Sequence, residues 1–76
     1  MSTYSASIEA YLASSNLSET GFAAALGRNQ VTINRYRRGE RIPDADTARL
    51  IDEFTKGQVP FEVWQREFLA KAGLQA

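Results

Sequence analysis

A single glycine, Gly27, set between two short amphipathic segments, restricts the fold of this chain more than any other residue. Upstream of it Phe22, Ala23 and Leu26 fall at i, i+1 and i+4 behind Ser18, so one face of a short helix can be buried with Ser18 as its N-cap. A glycine just past the last apolar residue adopts the left-handed conformation without the strain a side chain would add, and the backbone turns sharply there. Downstream, Asn29 is placed to cap a second helix over 30–37, in which Ile33 and Tyr36, three apart, share a buried face. The opposite face is polar: Gln30, Thr32, Asn34 and Arg35, with Arg37 and Arg38 closing the helix.

That outer face has the chemistry of base and phosphate recognition. Glutamine and asparagine match adenine through two hydrogen bonds, arginine matches guanine, and hydroxyls adapt to either. The distribution of charge agrees. Basic and acidic residues balance to a net charge of zero, yet residues 28–41 hold five arginines and one acid, a local +4 that leaves −4 for the remainder. A basic patch on an otherwise acidic body attracts phosphate at short range while discouraging indiscriminate binding.

With those residues in view, the stretch LGRNQVTINRYRRGERIP resembles the helix-turn-helix core of the lambda-repressor-like, Cro/CI-type (xenobiotic-response-element) family of phage and bacterial regulators. The resemblance is carried by Ala23, Gly27, Ile33, Tyr36 and the RRGERIP run ending at Pro43. It extends to about Pro60, where TKGQVP is similar to the TGG-V-P ending of many small members. It implies an all-α, five-helix domain whose third helix enters the major groove of double-stranded DNA, usually as half of a homodimer on an inverted-repeat operator. On this resemblance Gln30, Val31, Thr32, Asn34 and Arg35 face bases. The phosphate contacts fall to Ser18, Thr20, Arg28, Asn29, Arg37, Arg38 and Arg41. Two positions depart from the family pattern. Glu19 stands where a phosphate-binding glutamine is common, so either Ser18 and Thr20 take over that contact or it is absent. Arg28 stands where the turn residue is usually apolar, and it is expected to point at DNA.

At 76 residues there is material for one domain, 1–76, with a core over 4–57 and a C-terminal aromatic helix over 60–72. Without cysteine or histidine there is no disulfide, thiol nucleophile, imidazole base or usual zinc site. No metal or cofactor is expected, Asp44, Asp46 and Asp52 reading as helix-start residues. Catalysis would have to draw on surface carboxylates alone, so an enzyme is not expected. The N-terminus lacks a basic region followed by an apolar run, and no stretch nears the roughly 18 apolar residues of a membrane span. Cytoplasmic residence, at the nucleoid, is the expectation.

Around the central pair of helices the chain reads as scaffold. Ile8, Tyr11 and Leu12 repeat at helical spacing over 4–14, behind Thr3 or Ser5 as cap, and Leu17 plugs the core before the next cap. Gly39 ends the recognition helix, and Arg41 sits in a loop able to reach the phosphate backbone. Asp44 or Asp46 starts a fourth helix that buries Leu50, Ile51 and Phe54 beside Ala48 and stops at Gly57. In the fifth, Pro60 takes a first-turn position, and Phe61, Trp64 and Phe68 recur at i, i+3 and i+7 with Leu69 beside them. Part of this stripe completes the core, and the rest is a candidate dimer or partner surface. Met1 to Thr3 and the residues from Gly73 onward are expected to be loose. Two functions fit: a sequence-specific DNA-binding transcriptional regulator, or a protein-interaction module (antitoxin, co-activator or adaptor subunit) working through the aromatic helix.

Overall fold

The computed structural model describes residues 3–71, so the expectations for Met1 and Ser2, for the last residue of the fifth helix and for Gly73 onward lie outside the described residues. The fold is all-α. Its helices are α1 (Tyr4–Ser15), α2 (Glu19–Leu26), α3 (Gln30–Arg37), α4 (Ala45–Thr55) and α5 (Phe61–Lys71).

Four of the five start on a side-chain cap. Thr3, rather than Ser5, accepts the Ala6 N–H ahead of α1 at 3.1 Å. Ser18 accepts that of Gly21 at 2.9 Å and Asn29 that of Val31 at 2.8 Å. For α4 the cap is Asp44, not Asp46, with the Thr47 N–H at 2.8 Å. Each of these bonds satisfies a backbone donor that the first helical turn leaves unpaired, worth about 1 kcal/mol. Gly27 has φ 66°, and its N–H and that of Arg28 return to carbonyls of the last turn of α2, closing the helix before Asn29 opens the next.

The core draws on every helix. Ile8 from α1, Phe22 from α2, Ile33 from α3 and Ile51 from α4 are fully buried, joined by Tyr4, Leu12, Ala23, Leu26, Tyr36, Ala48, Val59 and Trp64. Losing one of the larger members to alanine would cost about 2–5 kcal/mol, a large share of what so small a domain can muster. Leu17 and Tyr11 pack against this cluster from the side. The stripe expected on α4 differs in two residues. Ile51 is buried, whereas Leu50 is only half-buried and Phe54 remains 38% exposed. Phe54 lies at the edge of the face that α4 buries through Ile51 and Thr55, and it closes an aromatic edge with Tyr11 and Phe22, ring centroids 6.4 and 5.8 Å away. Threonines fill the gap: Thr47 and Thr55 are both buried in α4.

Polar bonds hold α5 and the bend that leads into it. The Thr55 hydroxyl donates to the Ile51 carbonyl at 2.8 Å and accepts the Val59 N–H at 3.1 Å, so the bend after α4 is pinned from within. The Asp52 carboxylate accepts the Phe61 N–H at 2.8 Å, giving α5 a cap from the neighbouring helix. Trp64 donates its indole N–H to the Pro43 carbonyl at 2.7 Å. From the opposite side, Glu67 accepts the Tyr4 N–H at 3.0 Å and so joins α5 to the start of α1.

Candidate nucleic-acid interface

Because Ile33 and Tyr36 are sunk into the core at 0% and 5% exposure, α3 turns its remaining residues outward. Gln30, Val31 and Arg35 are exposed, Val31 to 58%, and Thr32 and Asn34 are half-buried. The caps Ser18 and Asn29 are exposed beside Thr20, and Arg38 and Arg41 follow on the exposed loop after α3. One continuous surface therefore runs from the start of α2, over α3, into the loop before α4. Of the residues expected to meet bases or phosphates, Arg28 and Arg37 are engaged with other side chains of the chain.

The surface is organised by an acid. Glu19, the first residue of α2, has a side chain only 13% exposed and accepts from three donors of α3. Its Oε2 takes the Gln30 amide N–H at 3.1 Å, and its Oε1 takes the Asn34 amide N–H at 3.2 Å and an Arg37 N–H at 2.9 Å. The bond from Gln30, then those from Asn34 and Arg37, hold the carboxyl below the usual carboxylate range, against the opposing pull of partial burial. Arg37 is gripped from its other edge by Glu9 of α1, and that bond and Glu19 together push its guanidinium pKa up.

The other guanidinium groups differ in how far they are committed. Arg28, expected to point at DNA, instead donates from Nε and Nη2 to the Thr47 hydroxyl at 3.2 and 3.1 Å, and from Nη1 to the Leu26 carbonyl. A cation in a turn that usually holds an apolar residue is thus satisfied by the buried threonine of α4. Arg38 pairs with Glu40 at 2.7 Å, both groups largely in water, where such a pair contributes little. Arg35 and Arg41 form no ion pair among the described residues.

A capped helix, a glycine turn in left-handed conformation and a second capped helix presenting amides and guanidinium groups make a distinctive arrangement. The model of the family described as Helix-turn-helix matches residues 8–60, well over half of the 76-residue chain. The chain belongs to this lambda-repressor-like, Cro/CI-type family. It is therefore a DNA-binding helix-turn-helix regulator, with α2 and α3 as the two helices that name the fold. No curated protein and no solved structure matches it. Among the described residues no helix is long and apolar enough to cross a membrane.

The matched residues end just before the fifth helix, and there the aromatic stripe divides. Trp64, expected with Phe61, Phe68 and Leu69 at a dimer or partner surface, is 5% exposed and belongs to the core, since its N–H and ring are both used internally. Phe61 is half-buried against the same core, beneath the Arg49 guanidinium at 4.3 Å. Only Phe68 and Leu69 stay open, at 44% and 37%. Phe68 stacks on Trp64 at 5.0 Å. Two residues of the site had no sequence signal: Glu9 is 28 positions from Arg37, and Thr47 is 19 from Arg28. Glu19 stood out as a departure from the family, but a departure does not say which neighbours a carboxylate will find.

Proposed function

We propose that the chain is a sequence-specific transcriptional regulator of the small phage-repressor type, which inserts α3 in the major groove and occupies an operator. The observation that carries this reading is the outer face of α3 with Arg35 and Arg41 beside it, two guanidinium groups without an acidic partner among the described residues. Arg35 is assigned to guanine, and Gln30 and Asn34 to adenine, with Val31 and Thr32 against neighbouring base edges. Ser18, Thr20, Asn29, Arg38 and Arg41 line the phosphate path; Arg28 and Arg37 reach it only by exchanging their present partners. One such helix covers a small footprint, so a homodimer on an inverted repeat, with half-sites about one helical turn apart, completes the reading. The exposed Phe68 and Leu69 on α5 suit that contact. A chain that works on an operator resides with the nucleoid in the cytoplasm.

Selection of bound duplexes from a random pool tests the proposal, and an inverted repeat is the expected product. Arg35→Ala should then lose preference at one base position per half-site, roughly 1–3 kcal/mol. Arg38→Ala should weaken cognate and scrambled duplexes alike and flatten the salt dependence. Equal losses for both variants on both duplexes would refute this division of labour. The second reading, an interaction module working through α5, draws support from the same exposed Phe68 and Leu69. A chain of that kind would pass through a duplex-DNA column near physiological salt, whereas an operator-binding regulator would be retained.

A further inference from the structure

The three bonds into Glu19 have a consequence for which bases α3 can accept, given the reading of α3 as the base-contacting helix. A carboxylate is an acceptor only, whereas a side-chain amide has an oxygen that accepts and a nitrogen with two hydrogens to donate. The amides of Gln30 and Asn34 can therefore face Glu19 with nitrogen and not with oxygen; the reverse orientation would set oxygen against a carboxylate oxygen. The usual two-fold ambiguity of an amide is removed here by its neighbour. Each amide has spent one N–H, leaving one N–H and one carbonyl oxygen.

That remainder complements only one kind of purine edge. In the major groove adenine offers an acceptor, N7, next to a donor, the N6 amino group, and an amide oxygen with one N–H satisfies both. Guanine offers two acceptors, N7 and O6, and would require two donors from one side chain. Neither amide has two left.

We propose that Glu19 is the specificity-determining residue of this interface, holding Gln30 and Asn34 so that both accept adenine and reject guanine. It acts as a positioning residue: it need not touch a base, because the side chains it orients do.

The experiment is duplex selection with the intact chain, carried out in parallel for the wild type, Gln30→Ala, Asn34→Ala, Glu19→Ala and Glu19→Gln. The two amide deletions locate the base positions read by Gln30 and Asn34. At those positions the wild type should prefer adenine over guanine, and Glu19→Ala should reduce that preference about tenfold, the size of one base-reading contact. Glu19→Gln preserves shape and can donate as well as accept, so it permits the flipped amides and should admit guanine there. Preference at the position read by Arg35 should be unchanged in both. A merely structural role for Glu19 would weaken all positions together, and that result, or an unaltered adenine preference in both variants, overturns the proposal while leaving the regulator intact. Failure of the wild type to select any sequence would overturn the regulator reading and this inference with it. Should Glu19→Ala prove unfolded by circular dichroism, the outcome with Glu19→Gln decides.

Discussion

Tyr4 and Glu19 lie at opposite extremes of how this chain treats a polar atom. The Tyr4 hydroxyl is buried with no hydrogen-bond partner among the described residues, and burial pushes its pKa well above the ordinary tyrosine range. An unpaired buried hydroxyl is a cost, so Tyr4→Phe should be neutral or stabilising in urea unfolding. Glu19, by contrast, has three donors. Its pKa is lowered in the folded chain, which means that its contribution to stability is in full force above the unfolded carboxylate range near pH 4.3. It is lost as pH falls through the lower, folded value. Denaturation of wild type and Glu19→Gln across pH should therefore give a stability gap that is constant from about pH 5 to 7 and closes under more acidic conditions, because a protonated glutamate resembles glutamine. A gap that widened on acidification would contradict the hydrogen-bond network.

At the level of the helices, the order, caps and turn were legible because each is a local matter. Ser18, Gly27 and Asn29 act within three residues of themselves, and Ile33 with Tyr36 fixes the buried side of α3 by spacing alone. What spacing could not tell was how far each helix would sink. Phe54 is as apolar as Phe22, yet one is 38% exposed and the other fully buried, since α4 turns Ile51 and Thr55 to the centre and leaves Phe54 at the edge against Tyr11 and Phe22. The same limit applies to Trp64, whose burial depends on Pro43, 21 residues away. Thr55 illustrates a role that pattern reading does not anticipate, a polar residue at the centre of a helix junction. Replacing it with valine preserves shape but strands the Val59 N–H, and should cost about 1–3 kcal/mol, measured by thermal or urea unfolding. A change below roughly 0.5 kcal/mol would mean that the junction is held by packing alone.

For the whole molecule, net neutrality and DNA binding are reconciled by where the acids lie. Glu9, Glu19 and Glu40 each pair with an arginine of α3 or the residue after it, so the cationic surface is trimmed at its source. Binding to non-cognate duplex should accordingly be weak and steeply dependent on salt, the slope giving the number of phosphates contacted. Phe68 is outside the helix-turn-helix and partly exposed, so Phe68→Ser should lower the unfolding midpoint modestly, through the lost stack on Trp64, while shifting sedimentation equilibrium toward monomer. If wild type is monomeric both free and on DNA, the open end of α5 serves another purpose.

The sole tryptophan makes these experiments easier to read. Its ring lies against Phe68 on one side, and its indole nitrogen is bonded to the loop that follows α3. Its emission is thus an intrinsic optical probe sited between the two ends of the molecule that matter most, sensitive to a partner arriving over Phe68 and to any movement of the Pro43 loop, with no label attached.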